Sequence, residues 1–341
     1  MTVGRSLWFV APRQVEIRTV PVAPLGAGQV LVATDYSGVS AGTELLAYRG
    51  QLDPEMAVDE SIGALGGTFR YPFQYGYCCV GHVAESRSDI AVGQLVFAFH
   101  PHQDRFTVAA TDVLPLPPID ARVATLLPFV ETALQLTLDA GAVLEETVVV
   151  SGLGVVGLLT ALLLQRAGAH VVAVEPRPWR RQLAHELDVL AVDPAAIDDA
   201  LAAAGRAGGV NLLVEVSGNP QALAAGLRLL AFEGTALVGS WYGRQDVALP
   251  LGAGFHRRRL TIRSSQVSTI PARLSSRWDR TRRMAVVTEL LVSLPLDRLA
   301  SHTVDFDDAA AAYAALDAGD AGLVHLALGY SDTHVPGRHR H

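Results

Sequence analysis

The sequence predicts an α/β protein with two domains, one rich in β-strands and one built on a doubly wound parallel sheet. The chain has 341 residues, more than one typical core contains, so each domain can bury its own interior. Near residues 114–118 the pattern changes from strand-rich to alternating strand and helix. A glycine-rich turn in the apolar run 148–164 follows a strand pattern and precedes a helix pattern.

The first part of the chain is typical of a β-rich domain. Short alternating or β-branched runs predict strands at 29–36, 80–85 and 94–99. The run LPLPP at 114–118 breaks this pattern and marks a domain boundary.

Beyond that boundary, strands and helices alternate. Strands are predicted at 147–151, 170–175, 211–216, 235–239, 260–265 and 323–328. Helices are predicted at 121–140, 155–167, 179–187, 220–230, 277–291 and 309–316. This rhythm predicts a parallel sheet covered by helices on both faces. Residues 331–341 have the composition of a flexible, solvated tail.

Composition narrows the class of protein. The net charge is −7, whereas nucleic-acid binding needs a clustered basic face, so no nucleic-acid partner is expected. The two cysteines, Cys78 and Cys79, are adjacent and form neither a disulfide framework nor a CxxC zinc cluster. The N-terminus has no secretory pattern, and the run 148–164 is interpreted as strand, turn and helix. We expect a cytoplasmic protein with no membrane partner.

A dinucleotide-binding loop is predicted at Gly152, Gly154 and Gly157, which form GxGxxG between an apolar strand and a helix. The first glycine permits a tight turn, the second admits a pyrophosphate, and the third lets helix and strand pack closely. Val155 and Val156 open the helix, whose free N–H groups favour phosphates. A purely structural glycine turn is the alternative.

Glu175 ends the next predicted strand, where a ribose-binding carboxylate is expected. A carboxylate accepts hydrogen bonds from ribose hydroxyls and repels a 2′-phosphate, which favours NAD. Arg177, Arg180 and Arg181 follow and are able to hold that phosphate instead, unless they only form a solvated helix start. NAD is the expected cofactor and NADP the alternative.

Several phrases jointly resemble the medium-chain dehydrogenase/reductase family over about residues 5–330. SGVSAGTELLAYRG at 37–50 is similar to the family's SGVCGTDxxxYxG, and GQLVFAF at 93–99 to its GDRV strand. GVNLLVEVSG and GTALVGSWYG resemble its fourth and fifth nucleotide-binding strands, and DFDDAAAAY resembles a helix near its C-terminus. The resemblance implies a GroES-like catalytic domain at 1–120 and 270–341 and a Rossmann domain at 121–269.

The resemblance also implies site residues. Thr43 matches a threonine that relays the substrate proton, Glu44 an acidic position beside the metal ligands, and Thr132 a threonine that packs on nicotinamide. Further cofactor contacts are expected in the phrases that match the fourth and fifth strands, at Ser217, Gly239 and Ser240. A homodimer is implied as well, with strand 260–265 at the sheet edge.

The zinc ligands of that family are replaced in this chain. Ala41, Tyr77 and Pro128 stand at the three catalytic positions, and the four-cysteine structural lobe is absent. Alanine and proline have no group that binds zinc, so we expect no metal. Cys78 and His82 are partial candidates for another metal site, but adjacent cysteines on a strand point to opposite faces.

Without zinc, catalysis must rest on hydrogen bonds and proton transfer. Tyr77 brings a hydroxyl to the vacated metal position, and Glu44 is placed to orient or deprotonate it. The alternatives are that Tyr77 is an ordinary strand aromatic and Glu44 a structural ion pair. Other candidates for the proton acceptor are His82, His100 and His102.

The expected function is a zinc-independent NAD(P)-dependent alcohol dehydrogenase or ketone reductase acting on a polar, cyclic small molecule. Within the family, SGVSAGTE and Gly76-Tyr77 most resemble the bacteriochlorophyllide hydroxyethyl dehydrogenase branch, which supports the reaction type but not a pigment substrate. The alternatives are an enone or quinone reductase and a non-enzymatic dinucleotide-binding sensor. The loop 51–75 and the basic run 255–263 are candidates to face the substrate, although an edge strand also explains the latter.

Overall fold

The computed structural model describes residues 2–319 and 322–330; the predicted tail at 331–341 lies outside these described residues. The chain divides into two compact units, Met1–Pro128 with Thr288–His341 and Phe129–Val287. The domain boundaries that we predict at 120/121 and 269/270 remain predictions, because compactness alone does not define a domain.

The strands and helices have the following bounds. The strands are β1 Val3–Ala11, β2 Gln14–Pro21, β3 Gln29–Val39, β4 Phe73–Gln74, β5 Cys79–Ser86, β6 Leu95–Ala98, β7 Arg105–Ala109, β8 Val113–Pro115, β9 Thr147–Ser151, β10 His170–Val174, β11 Leu190–Val192, β12 Val210–Glu215, β13 Leu230–Val238, β14 Thr261–Ser264, β15 His302–Asp305 and β16 Leu326–Gly329. The helices are α1 Thr43–Tyr48, α2 Ala121–Ala124, α3 Leu127–Ala140, α4 Val155–Arg166, α5 Pro178–Glu186, α6 Ile197–Ala203, α7 Pro220–Gly226, α8 Arg280–Ser293 and α9 Ala309–Ala318.

The first unit contains a three-stranded and a seven-stranded sheet. The small sheet has the order β2-β1-β4, and the large one has the order β15-β16-β3-β5-β6-β8, with β7 paired to β3. An aromatic core supports α1 and α9: the rings of Phe9 and Phe73 stack 5.3 Å apart, and Tyr313 meets Phe9 edge-on at 5.4 Å. This packing fixes the helix that carries Thr43 and Glu44.

The second unit contains a six-stranded sheet with the order β11-β10-β9-β12-β13-β14, and all its strand pairs are parallel. Strand β9 is buried along its whole length, as expected for a central strand covered on both faces. Successive strands run outward from β9 on one side and from β12 on the other, so the order reverses between these two. The predicted doubly wound sheet is confirmed.

The predicted single helix over 121–140 is wrong. Helix α2 ends at Ala124, and α3 begins at Leu127, so two helices replace one. Pro128 lies in the first turn of α3, where its missing N–H costs no helical hydrogen bond. In the described chain, no helix combines the length and apolar character needed to cross a membrane.

Candidate active site

The glycine loop joins β9 to α4 and leaves open space for a ligand. Gly152 has φ 95°, in the left-handed region, and a Cβ at Gly157 would lie 1.9 Å from the carbonyl oxygen of Gly152. Only glycine therefore lets the helix start pack so closely against the turn. A Cβ at Gly154 would meet no atom within 4 Å, so the loop surface there is open. This arrangement fits the pyrophosphate of a dinucleotide.

Glu175 lies directly after β10 and is buried against this loop. Its Oε2 accepts a hydrogen bond from the Leu153 N–H at 2.9 Å, and its Oε1 accepts one from the Arg177 N–H at 3.0 Å. Because a carboxylate has about four acceptor positions, it retains capacity for ribose hydroxyls. The structure thus places the predicted ribose acid beside the predicted phosphate loop.

Two of the three arginines that follow already have partners nearby. Nη1 of Arg181 donates to the carbonyl oxygens of Glu175 and Pro176, both at 2.8 Å. Nη1 of Arg180 lies 3.7 Å from Oε2 of Glu175, and its guanidinium stacks over the Trp179 ring. Both side chains thus stabilise the turn around Glu175.

The other predicted cofactor residues follow the ends of neighbouring strands. A Cβ at Gly152 would lie 2.5 Å from Cα of Ser217, so the turn after β12 contacts the glycine loop. Ser240 accepts a hydrogen bond from the Gly218 N–H at 2.8 Å, and Gly239 packs against Leu136 of α3. Thr132, also on α3, is half-buried.

In the first unit, Tyr77 stands between β4 and β5, and the side chains of Ser40 and Thr43 are close enough to its hydroxyl to affect its pKa. Burial and the neighbouring Glu44 carboxylate raise the pKa of Tyr77, against the lowering effect of Ser40 and Thr43. Tyr77 therefore keeps its proton at neutral pH and acts as a hydrogen-bond donor.

Glu44 is fully buried and its described partners are groups other than the Tyr77 hydroxyl. Its Oε1 accepts from the Ser40 N–H at 2.8 Å. Its Oε2 lies 3.0 Å from Nε2 of His102 and also accepts from the hydroxyl of Tyr313. Glu44 thus acts on Tyr77 through its charge and through Ser40.

His102 and Tyr313 complete a buried network that sequence reasoning found only in part. Nδ1 of His102 lies 2.7 Å from Oγ of Ser37, so both ring nitrogens are engaged. Tyr313 lies on α9, far along the chain, and no local pattern indicates its role. One signal is Gly76 (φ 97°), where a Cβ would lie 2.4 Å from the His102 ring. A glycine directly before Tyr77 therefore indicates that another segment of the chain, the one that carries His102, packs closely against this position.

The remaining histidine candidates have other environments. Nδ1 of His82 pairs with Asp35 at 2.5 Å. His100 stacks on Phe106 with ring centroids 3.7 Å apart, and burial lowers the pKa of His100 to about 4. Since a group with that pKa is neutral at physiological pH, His100 is a weak proton acceptor.

The residues at the family's zinc positions do not fit a metal ion. Ala41 and Tyr77 pack against the aromatic core of the first unit. Cys78 Sγ donates to the carbonyl oxygen of Thr125 at 3.2 Å, and burial raises the pKa of this thiol. Within residues 2–319 and 322–330, no group of three or more His, Cys, Asp or Glu side chains is arranged to hold a metal.

An open groove of about 1020 Å³ lies elsewhere on the first unit, lined by residues that include Asp35, His82 and Tyr330. Neither Thr43 nor Tyr77 lines it, so we do not place the active site there. Three of the four arginines in the basic run 255–263 bind their own unit: Arg258 donates to the Leu230 carbonyl oxygen, Arg259 to Glu233, and Arg263 to the Asp139 carbonyl oxygen.

The doubly wound fold and the open glycine loop fit a dinucleotide-binding α/β protein, and comparisons with known proteins show what the chain is similar to. A family model described as zinc-binding dehydrogenase matches residues 155–284. D-guloside 3-dehydrogenase of Escherichia coli (strain K12) is 26% identical over 310 residues, which cover 85% of this chain and 88% of that protein.

Two further proteins extend the comparison. The 2-desacetyl-2-hydroxyethyl bacteriochlorophyllide A dehydrogenase of Cereibacter sphaeroides is 26% identical over 328 residues, 89% of this chain and 91% of that protein. The crystal structure of 2R,3R-butanediol dehydrogenase from Bacillus subtilis has a TM-score of 0.77 at 20% identity, covering 96% of this chain and 99% of that chain. The chain is therefore similar to zinc-binding dehydrogenases over residues 155–284 and to individual dehydrogenases over most of its length.

Proposed function

We propose that this chain is a zinc-independent, NAD-dependent dehydrogenase or reductase that transfers a hydride between nicotinamide and a secondary alcohol or ketone. One observation carries the proposal: the Tyr77 hydroxyl lies near the side chains of Thr43 and Ser40, while the resemblance puts Ala41 and Pro128 at the other two metal positions. The phenol of Tyr77 would therefore replace the zinc ion of the family as the group that polarises the substrate oxygen.

The second unit supplies the residues for the cofactor. Gly152 and Gly154 would hold the pyrophosphate, and Glu175 the adenosine ribose hydroxyls. The contacts of Arg180 and Arg181 with the Glu175 turn support NAD over NADP, because neither arginine extends away from the carboxylate. When bound, the cofactor accepts or supplies the hydride.

The first unit supplies the proton chemistry. Because its pKa is raised, Tyr77 stays protonated and donates to the substrate oxygen, stabilising negative charge in the transition state. In alcohol oxidation, the hydride leaves carbon for the nicotinamide, and the hydroxyl proton passes along the hydroxyls of Ser40 and Thr43 to water, since Thr43 is only half-buried. The charge of Glu44 is held in place by His102 and Tyr313 and favours protonated Tyr77.

A polar, cyclic substrate is supported by the relatives. The name of the Escherichia coli relative refers to position 3 of a guloside, a ring with several hydroxyls, and that protein aligns over most of both chains. The Cereibacter relative is likewise named for a hydroxyethyl group on a macrocycle. We therefore propose a ring-borne or ring-attached secondary alcohol as the reacting group.

The function is tested by following NADH absorbance with a panel of cyclic glycosides, acyclic diols and cyclic enones. We expect reduction of NAD by cyclic secondary alcohols, with slower reaction of acyclic diols. Oxidation of nicotinamide by enones alone would favour the enone reductase alternative. Tight NAD binding without turnover of any compound would favour a sensor.

Metal analysis tests zinc independence directly. We expect purified protein to contain no stoichiometric zinc and to keep its activity after dialysis against a chelator, because Ala41 and Pro128, at two of the three ligand positions that the resemblance implies, have no group that binds metal. Plasma mass spectrometry measures the metal content, and a zinc-containing alcohol dehydrogenase treated in parallel is the control. About one zinc per chain, with activity lost on chelation, would contradict the proposal.

We also propose that the protein forms a homodimer through the edge of the six-stranded sheet. Strand β14 stands at the end of that sheet, and an uncovered edge is a template for pairing with a second copy. Light scattering at micromolar concentration is expected to give twice the mass of the chain. A single monomeric species under the same conditions would refute the dimer.

A further inference from the structure

Glu215 is a buried acid at the point where the order of the parallel sheet reverses. It is the last residue of β12 and lies opposite Ser151, the last residue of β9. The turn that follows Glu215 contacts the glycine loop through Ser217. Dinucleotides bind across the crevice at such a reversal, so Glu215 lies beneath the crevice that the proposed cofactor would occupy.

The carboxylate of Glu215 is fully buried, and its described hydrogen-bond partners are all uncharged donors. Its Oε1 accepts from the Ser217 N–H at 2.8 Å and from the Ser217 hydroxyl. Its Oε2 accepts from the Tyr242 hydroxyl at 2.5 Å, and burial and Glu215 together raise the pKa of Tyr242. Each of these three groups is able to donate to an ionised carboxylate.

Hydrogen bonds satisfy this carboxylate but do not neutralise it. Buried charges are ordinarily paired with a cation, because an uncompensated charge in the interior is costly. The oxidised nicotinamide ring carries a positive charge, and hydride addition makes the ring neutral. A fixed negative charge near the crevice therefore interacts favourably with NAD⁺ and much less with NADH.

We propose that Glu215, held by Tyr242 and Ser217, is a positioning residue that sets the relative affinity for the oxidised and reduced cofactor. This inference rests on the proposed dinucleotide-dependent function. Glu215 takes no part in bond making: the hydride carries both electrons to the ring, and the carboxylate keeps its charge throughout. Glu215 therefore affects only the binding of the two cofactor forms, through the positive charge that the nicotinamide ring has in NAD⁺ and lacks in NADH.

The inference is tested by binding three ligands, NAD⁺, NADH and ADP-ribose, to the wild type and to Glu215→Gln. Glutamine keeps the shape and one carbonyl acceptor but removes the charge. We expect Glu215→Gln to weaken NAD⁺ binding about tenfold relative to NADH. Binding of ADP-ribose, which lacks nicotinamide, is expected to stay within twofold of the wild type.

Tyr242→Phe is the matched variant, because it removes one hydrogen bond and leaves the charge. Because the charge remains, we expect the ratio of the NAD⁺ and NADH dissociation constants to stay within about threefold of the wild-type ratio. Calorimetry and NADH fluorescence give the dissociation constants without any turnover. Parallel changes for all three ligands in Glu215→Gln, or no change in any, would overturn the inference. A wild type that binds none of the three would instead overturn the proposed function.

Discussion

Tyr77→Phe is expected to lower kcat/KM by about 100- to 1,000-fold, the usual loss when one donor to a developing oxyanion is removed. Phenylalanine preserves the ring that packs on the aromatic core and deletes only the hydroxyl near Ser40 and Thr43. Because cofactor binding is assigned to the other unit, the dissociation constant for NADH should stay unchanged. Steady-state kinetics and NADH fluorescence titration measure the two quantities separately.

The matched control is Tyr75→Phe. Tyr75 is a buried neighbour whose ring meets that of Tyr77 edge-on at 6.1 Å, and it has no role in the proposed chemistry. We expect it to change kcat/KM by less than about threefold. Equal losses in both variants would point to damaged packing, and a Tyr77→Phe enzyme as active as the wild type would favour enone reduction.

The pH profile provides a second test of the Tyr77 assignment. Since the pKa of Tyr77 is raised above its ordinary value near 10, the hydroxyl remains a donor across the range in which an exposed tyrosine ionises. No loss of kcat/KM attributable to this group is expected between about pH 8 and pH 10. A fall in kcat/KM with an apparent pKa near 9, absent from Tyr77→Phe, would show that Tyr77 titrates normally.

The sheet of the second unit was largely predictable because its signals are local. Strand β9 has the predicted bounds, Thr147–Ser151, since a short continuous apolar run directly before a glycine turn is typical of a buried strand. The glycine loop was predictable from the spacing of its glycines, because each glycine meets a separate steric requirement of the turn between strand and helix. Helix α7 ends at Gly226, earlier than predicted, as the chain tightens into a 3₁₀ turn before β13.

The first unit was less predictable because its buried polar network joins residues that are far apart in the sequence. Helix α1 has only six residues and no side-chain cap, so its sequence carries almost no helical signal. Glu44 meets His102, 58 positions away, and Tyr313, 269 positions away. No periodicity in the sequence predicts these pairings, since they depend on how α1, α9 and the segment between β6 and β7 pack. The family resemblance suggested Tyr77 as the hydrogen-bond partner of Glu44. In the structure the Glu44 carboxylate instead contacts the Ser40 N–H, His102 and Tyr313.

Glu175→Ala is expected to weaken NAD binding by about 1.5–3 kcal/mol, the range for hydrogen bonds to a charged group. This corresponds to roughly 10- to 150-fold in dissociation constant. The alanine variant also loses the acceptors for the Leu153 and Arg177 N–H groups, so part of the loss arises from a less ordered loop. Calorimetry with NAD and NADP measures both affinities on the same preparation.

NADP binding should improve in Glu175→Ala, because the charge that repels a 2′-phosphate is removed while Arg177 and Arg180 remain. Glu175→Gln is the control: it keeps an acceptor for the Leu153 N–H and removes only the charge, so it should gain NADP affinity with a smaller loss for NAD. If the arginines already serve a phosphate, the wild type will prefer NADP, and Arg180→Ala will weaken NADP far more than NAD. Unchanged affinity for both cofactors in Glu175→Ala would show that this strand end does not hold the ribose.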